Sequence, residues 1–127
     1  MKILALLAVA ISVFGCEIAW QNSLDSAKKL SSSSKKPIMV FVASQTCPYC
    51  TMMLETTFED ESVCKEINKN FVPLVAMDGG AQVPKNIRIN GVPTTVFVNS
   101  AEKEVAQKII GLRYKNEFLQ ELKNRNF

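Results

Sequence analysis

Six consecutive residues without a polar side chain, Ile38-Met39-Val40-Phe41-Val42-Ala43, stand between Lys35-Lys36-Pro37 and the polar stretch Ser44-Gln45-Thr46. A strand with one wet face alternates apolar and polar residues, so an unbroken run predicts a central strand of a mixed or parallel sheet, covered on both faces. The next residues narrow the fold further. Cys47-Pro48-Tyr49-Cys50 follows at once, and Met53, Leu54 and Phe58 then recur among polar neighbours at helical spacing. A second helical piece is expected over 62–70, where Val63 and Ile67 are four apart. Further strands are expected over 71–77, Thr94–Val98 and Glu104–Ile110, and a closing helix over 116–123. Ahead of the first strand, Leu24, Ala27 and Leu30 mark a short amphipathic helix over 22–30, capped by Asn22 or Ser23. Residues 31–36 read as a flexible connector, with Lys35 and Lys36 as solvated charge. Strand-helix-strand demands a parallel pair by right-handed crossover, and the Asn99-Ser100-Ala101 turn allows a hairpin between the last two strands.

Length and composition set the outer limits. The chain has 127 residues, 47% hydrophobic, with 15 basic and 12 acidic side chains, four cysteines and no histidine. That is one domain, large enough to hold together through its core without disulfides. A formal charge of +3 is too weak for a nucleic-acid binder. The missing histidines exclude Ser-His and Cys-His catalysis and any imidazole ligand. Residues 1–15 open with Met1-Lys2 and continue as an uncharged apolar run, too short to span a membrane core, which needs about 20 residues. This segment reads as a secretory signal peptide, with the domain proper at 16–127. Its end, Val13-Phe14-Gly15-Cys16, resembles the lipobox of bacterial lipoproteins. Cys16 is therefore a candidate for lipidation, although Phe14 departs from that pattern.

Chemistry concentrates at the Cys-Pro-Tyr-Cys segment. Thr46 is placed to cap the helix and Pro48 falls in its first turn, where a missing amide hydrogen costs little. The Cys47 sulfur then lies among the unpaired N–H groups and the positive end of the helix dipole, which favour thiolate over thiol. Such cysteines have pKa values of roughly 3.5 to 7.5, against about 8.5 for a free one. Cys47 is thus the expected nucleophile on a partner disulfide, and Cys50, one turn inside, the thiol that resolves the mixed disulfide. A zinc pair and a structural bridge are the alternatives. Zinc wants four ligands, and the other sulfurs, Cys64 and Cys16, are poorly placed by sequence, so no metal site is expected. Cys64 sits at an apolar helical position and reads as a small buried hydrophobe rather than a redox partner. Met52 and Met53 beside two thiols are soft ligands suited to Cu(I), yet methionine on a helix more often packs a core. Pro93, in Gly91-Val92-Pro93-Thr94, reads on its own as an ordinary strand-opening proline.

Taken in order, three segments resemble the thioredoxin-like superfamily, especially its exported bacterial members. They are the apolar strand leading to Cys47-Pro48-Tyr49-Cys50, the stretch Phe71-Val72-Pro73-Leu74-Val75-Ala76-Met77-Asp78, and Gly91-Val92-Pro93-Thr94. Trp20, Ala27, Lys36-Pro37 and the stretch around Thr57-Phe58-Glu59-Asp60 resemble a subfamily with an added N-terminal helix. The resemblance implies an α/β thioredoxin-like fold with a central mixed sheet of four to five strands, flanked by helices. It also implies a cis Pro93 facing the cysteines, with Val92, Pro93, Thr94, Pro48 and Tyr49 contacting substrate. The implied activity is thiol:disulfide exchange with exported proteins, without a cofactor, served by a membrane electron donor or acceptor. Reductant is the first reading of direction and oxidant the second. A Cu(I) carrier or redox-dead adaptor is the competing class, although thioredoxin-fold copper carriers typically add a histidine. Dimeric isomerases of the superfamily carry an extra N-terminal domain, for which the residues before the first strand are too few, so a monomer in the periplasm is expected. Two departures stand out. Many thioredoxins hold a buried carboxylate six residues before the first cysteine, where this chain has Phe41. Pro48-Tyr49 is also the glutaredoxin dipeptide, but the basic residue and glycine-aspartate signature of glutaredoxins are absent, which disfavours glutathione.

Overall fold

A computed structural model describes residues 15–127. The signal-peptide reading of 1–15 therefore lies, Gly15 apart, outside the described residues. Helix α1 (Leu24–Ser34) precedes strand β1 (Ile38–Ala43). Helix α2 (Pro48–Glu55), a 3-10 turn at Thr57–Glu59 and helix α3 (Glu61–Asn70) lead to β2 (Val72–Met77). Strands β3 (Thr94–Val98) and β4 (Glu104–Ile110) and helix α4 (Lys115–Lys123) complete the chain. The sheet has four strands in the order β2-β1-β3-β4. Strands β1 and β2 run parallel with Ile38 opposite Val72, while β3 is antiparallel to both β1 and β4.

The unbroken apolar run of β1 follows from this central position. Side chains alternate between faces of a strand. Met39, Phe41 and Ala43 accordingly join the core layer that contains Met53 of α2, Val63 and Ile67 of α3, and Phe118 and Leu122 of α4. Ile38, Val40 and Val42 join the opposite layer, with Leu24 and Ala27 of α1. All six β1 residues are buried. Phe58 anchors the first layer, its ring edge-on to Trp20, Phe41 and Phe118 at centroid distances of 5.3, 4.8 and 5.4 Å.

The expected connector over 31–36 is instead mostly helix. Helix α1 continues through Ser34 and stops at Lys35, whose φ is +63°. Serines disfavour helices by competing for backbone groups, but here they bond within the turn they occupy. Ser33 and Ser34 donate to the Leu30 carbonyl at 3.1 and 2.7 Å. Buried Ser31 donates to the Lys36 carbonyl at 2.5 Å and so secures the exit. Lys36 is not purely solvated, since its ammonium donates to the Asn68 carbonyl at 3.2 Å. At the other end Ser23 is the cap, its hydroxyl accepting the Ser26 N–H at 3.1 Å.

A further departure lies before α1. Residues 16–21 form a strap along α3 and the β2 edge, turned once where the Trp20 N–H donates to the Ile18 carbonyl at 2.9 Å and ending where the Gln21 N–H donates to the Pro73 carbonyl at 2.8 Å. Cys16 at its start is disulfide-bonded to Cys64 of α3, with Cα atoms 5.9 Å apart. Cys64 is fully buried, as a small hydrophobe would be, but it is half of a cystine rather than a lone thiol. The opposite sheet edge is also engaged, because the Arg125 guanidinium donates to the Gln107 and Lys108 carbonyls of β4 at 2.7 and 3.1 Å.

Candidate active site

Two loops meet at the carboxyl end of β1. One is residues 44–47, which lead from Ala43 into α2. The other ends at Pro93, which the register places beside that strand end because Thr94 lies opposite Val42. Val92 packs against the core layer that contains Cys47 and Cys50. The Val92–Pro93 peptide is cis, as the family resemblance implies. The Pro93 carbonyl accepts the Gly111 N–H at 2.8 Å, and Gly111 has a φ of +90°, which a residue with a Cβ rarely adopts. The end of β4 thus holds the Pro93 loop in place.

Cys47 and Cys50 form the second disulfide, with Cα atoms 5.3 Å apart. Cys47 is itself the N-cap of α2, displacing Thr46 from the expected role, and Pro48 is the first helical residue. The Cys50 N–H donates to Cys47 Sγ at 3.1 Å, so one orphan amide of the helix end is aimed at the first sulfur. An amide so directed, together with the positive end of the helix dipole, is the arrangement that favours negative charge on a capping group. Cys47 is 9% exposed and Cys50 2%, so the first sulfur is the one nearer solvent.

The remaining expected contact residues divide. Pro48 and Tyr49 are exposed, Tyr49 by 58%, on the outer side of the cysteine turn. Val92 is half-buried and Pro93 buried within their loop. Thr94 is buried as well, its hydroxyl donating to the Gly91 carbonyl at 2.7 Å, and only Gly91 and half-buried Val92 of that loop reach solvent. Phe41, six residues before Cys47, is fully buried against Phe58. Met53 is likewise core, whereas Met52 is exposed and its sulfur accepts the Tyr114 hydroxyl at 3.3 Å. Tyr114, half exposed, thus joins Tyr49 and Met52 on α2's outer side. No sequence pattern pointed to Tyr114, since it lies far from the cysteines along the chain.

A helix-capping cysteine pair after a central parallel strand, with a cis-proline loop at the same sheet end, defines the fold of thioredoxin-like disulfide oxidoreductases. The chain belongs to the thioredoxin-like domain family, whose profile matches residues 24–126. A thioredoxin from Thermus thermophilus superimposes with a TM-score of 0.71 at 28% identity, covering 84% of this chain and 85% of that one. An uncharacterized protein of Archaeoglobus fulgidus is 28% identical over 95 residues, 73% of each chain. The thiol:disulfide interchange protein DsbD of Actinobacillus pleuropneumoniae is 26% identical over 104 residues, covering 78% of this chain but only 18% of that protein.

Proposed function

We propose that the chain is an exported thiol:disulfide oxidoreductase in which Cys47 attacks and Cys50 resolves. The observation that carries this reading is the Cys50 N–H directed at Cys47 Sγ from the first turn of α2. In the reductive direction the Cys47 thiolate attacks one sulfur of a partner disulfide, and the partner's other sulfur leaves as a thiolate and takes up a proton. Cys50, losing its own proton, then attacks Cys47 Sγ, and the partner leaves as a dithiol while the Cys47–Cys50 bond closes. Val92, Pro93 and Thr94 of the cis-proline loop and Pro48 and Tyr49 of the cysteine turn are the substrate-contacting residues of the proposal. With Phe41 in place of an acid, proton transfer at Cys50 falls to water, and resolution is slower than in thioredoxins that hold the carboxylate.

Export is supported by the apolar N-terminal run and by the second cystine, because non-catalytic disulfides persist where the surroundings are oxidising. The partners of the proposal are disulfide-bearing exported proteins on one side and a membrane thiol donor on the other, in keeping with the likeness to part of DsbD. Equilibration with dithiothreitol or glutathione buffers tests the direction. A midpoint near about −270 mV is expected for a thioredoxin-like reductant, and one near about −120 mV would make the protein an oxidant instead. A carrier of Cu(I) would instead bind one such ion tightly and reduce insulin poorly. Burial of Met53 and the Tyr114 bond to Met52 both speak against that reading.

A further inference from the structure

The strap before α1 is held by a single side chain as well as by its cystine. Asn68 of α3 accepts the Ala19 N–H on Oδ1 at 2.9 Å and donates from Nδ2 to the Glu17 carbonyl at 2.8 Å. These are two backbone groups, two residues apart, of the kind that a neighbouring strand would engage, just before the chain turns where the Trp20 N–H donates to the Ile18 carbonyl at 2.9 Å. One amide therefore substitutes for a strand partner at the point where the strap crosses the helix. The same Nδ2 lies 3.4 Å from Cys16 Sγ and 3.6 Å from Cys64 Sγ. Trp20, edge-on to Phe58, and the Gln21 bond to Pro73 hold the far end of the strap. None of these four attachments depends on the sulfur–sulfur bond.

We propose that Asn68 is a positioning residue that preorganises Cys16 against Cys64, so that the pair closes by exchange with an external disulfide and commits the Cys16 sulfur to protein rather than to a lipid thioether. The thiols of Cys16 and Cys64 and one external disulfide, small-molecule or protein, become one cystine and two external thiols, which keep the two protons. The reverse reaction is disfavoured by the same geometry. Cys64 is fully buried, so an attacking thiolate reaches only half-buried Cys16. Cys64 would then have to leave as a thiolate from a fully buried position, where burial raises a thiol's pKa and the Asn68 amide at 3.6 Å is the one polar group beside it among the described contacts. Asn68 would keep the modified strap beside it, and Cys64 would displace the intruder. The lipobox-like end of the N-terminal run and the cystine compete for a single sulfur, which can form only one of the two bonds. This inference involves different atoms from the Cys47–Cys50 reaction and stands without it.

Two measurements test it. The full chain, produced with its own N-terminus in a bacterial host, is quenched in acid, alkylated with N-ethylmaleimide and mapped by mass spectrometry. The expected result is a peptide containing Cys16 linked to one containing Cys64. A diacylglyceryl group on Cys16, loss of Cys16 from the mature chain, or alkylation of both cysteines would overturn the proposal. In glutathione buffers, Asn68→Leu should then lower the closing equilibrium constant of Cys16–Cys64 by about tenfold or more, as expected for two lost hydrogen bonds. The constant for Cys47–Cys50 should stay within about twofold of its original value, the spread allowed for distant sites. An unchanged Cys16–Cys64 constant, or an equal fall in both, would show that Asn68 does not position this pair.

Discussion

The two cystines of this molecule have the same covalent chemistry and opposite surroundings. Cys47–Cys50 spans three positions at the mouth of a helix, its first sulfur facing a backbone amide and its neighbours Pro48 and Tyr49 exposed. Cys16–Cys64 spans 48 positions, joins half-buried Cys16 to fully buried Cys64 away from any helix N-terminus, and ties a strap to the side of a helix. Constraint of the unfolded chain grows with the loop closed, so the longer bridge is worth roughly 4 kcal/mol in the chain-entropy picture and the shorter one about 2 or less. Placement at a helix end favours a thiolate and therefore exchange, while the long loop closed by the other bridge favours permanence. One fold thus holds a bond suited to being broken and another suited to staying closed.

The largest expected effect comes from removing the exchanging sulfur. Cys47→Ala should reduce insulin turnover to the uncatalysed background, while Cys50→Ala should leave a partner trapped on Cys47, visible as a reducible adduct on gels. If Cys47→Ala keeps its turnover, the contrast between the cystines is wrong. Next, Cys16→Ala with Cys64→Ala should lose about 4 kcal/mol in urea unfolding yet retain exchange at Cys47. A variant that unfolds no more easily would strip the second cystine of its structural role. Smaller still is the advantage of Cys47 at low pH. At pH 6 the reduced protein should take up iodoacetamide at Cys47 at least about threefold faster than a peptide thiol, after allowing for the weaker nucleophilicity of an acidic thiolate.

The smallest effect lies at neither cystine and serves as a control. Glu102 accepts the Lys28 ammonium at 2.8 Å and the Lys85 N–H at 2.9 Å, so it joins α1 to the loop that runs toward Pro93. Those bonds, Lys28 first, hold its carboxyl below the ordinary value of 4.5. The unfolded chain therefore binds the proton more readily, and the stability from this contact is present above the ordinary value and lost as pH falls through the lowered one. Glu102→Gln should remove under about 1 kcal/mol and flatten this acid dependence, measured by urea unfolding between pH 3 and pH 6. Turnover at Cys47 should not change.

Much of the fold is legible in the chain because its strands are strongly apolar and its helices short and punctuated. The β1 run and the Thr94–Val98 strand fall at their expected positions because a doubly covered strand leaves little choice of residue, and the edge strand Glu104–Ile110 falls where the hairpin turn at 99–101 places it. Phe71 is instead the C-cap that follows α3, its backbone extended while its N–H still bonds the Ile67 carbonyl at 2.9 Å. The serine run misleads because propensity describes an average residue, whereas Ser31, Ser33 and Ser34 each find a particular carbonyl. The pairing of Cys16 with Cys64 is illegible for a different reason. Nothing local connects positions 48 apart, and only the path of the strap along α3 brings the sulfurs together. The inward turn of Thr94 and the reach of Tyr114 to Met52 likewise depend on tertiary placement rather than on any motif.

Both margins of the sheet are blocked. Gln21 interrupts the β2 side and the Arg125 fork occupies successive carbonyls on the β4 side. Another copy of the chain seeking to extend the sheet meets a crossing peptide at one border and a cationic plug at the other, a defence against fibre-like stacking. Concentrated samples should accordingly stay dispersed for as long as both guards remain in place.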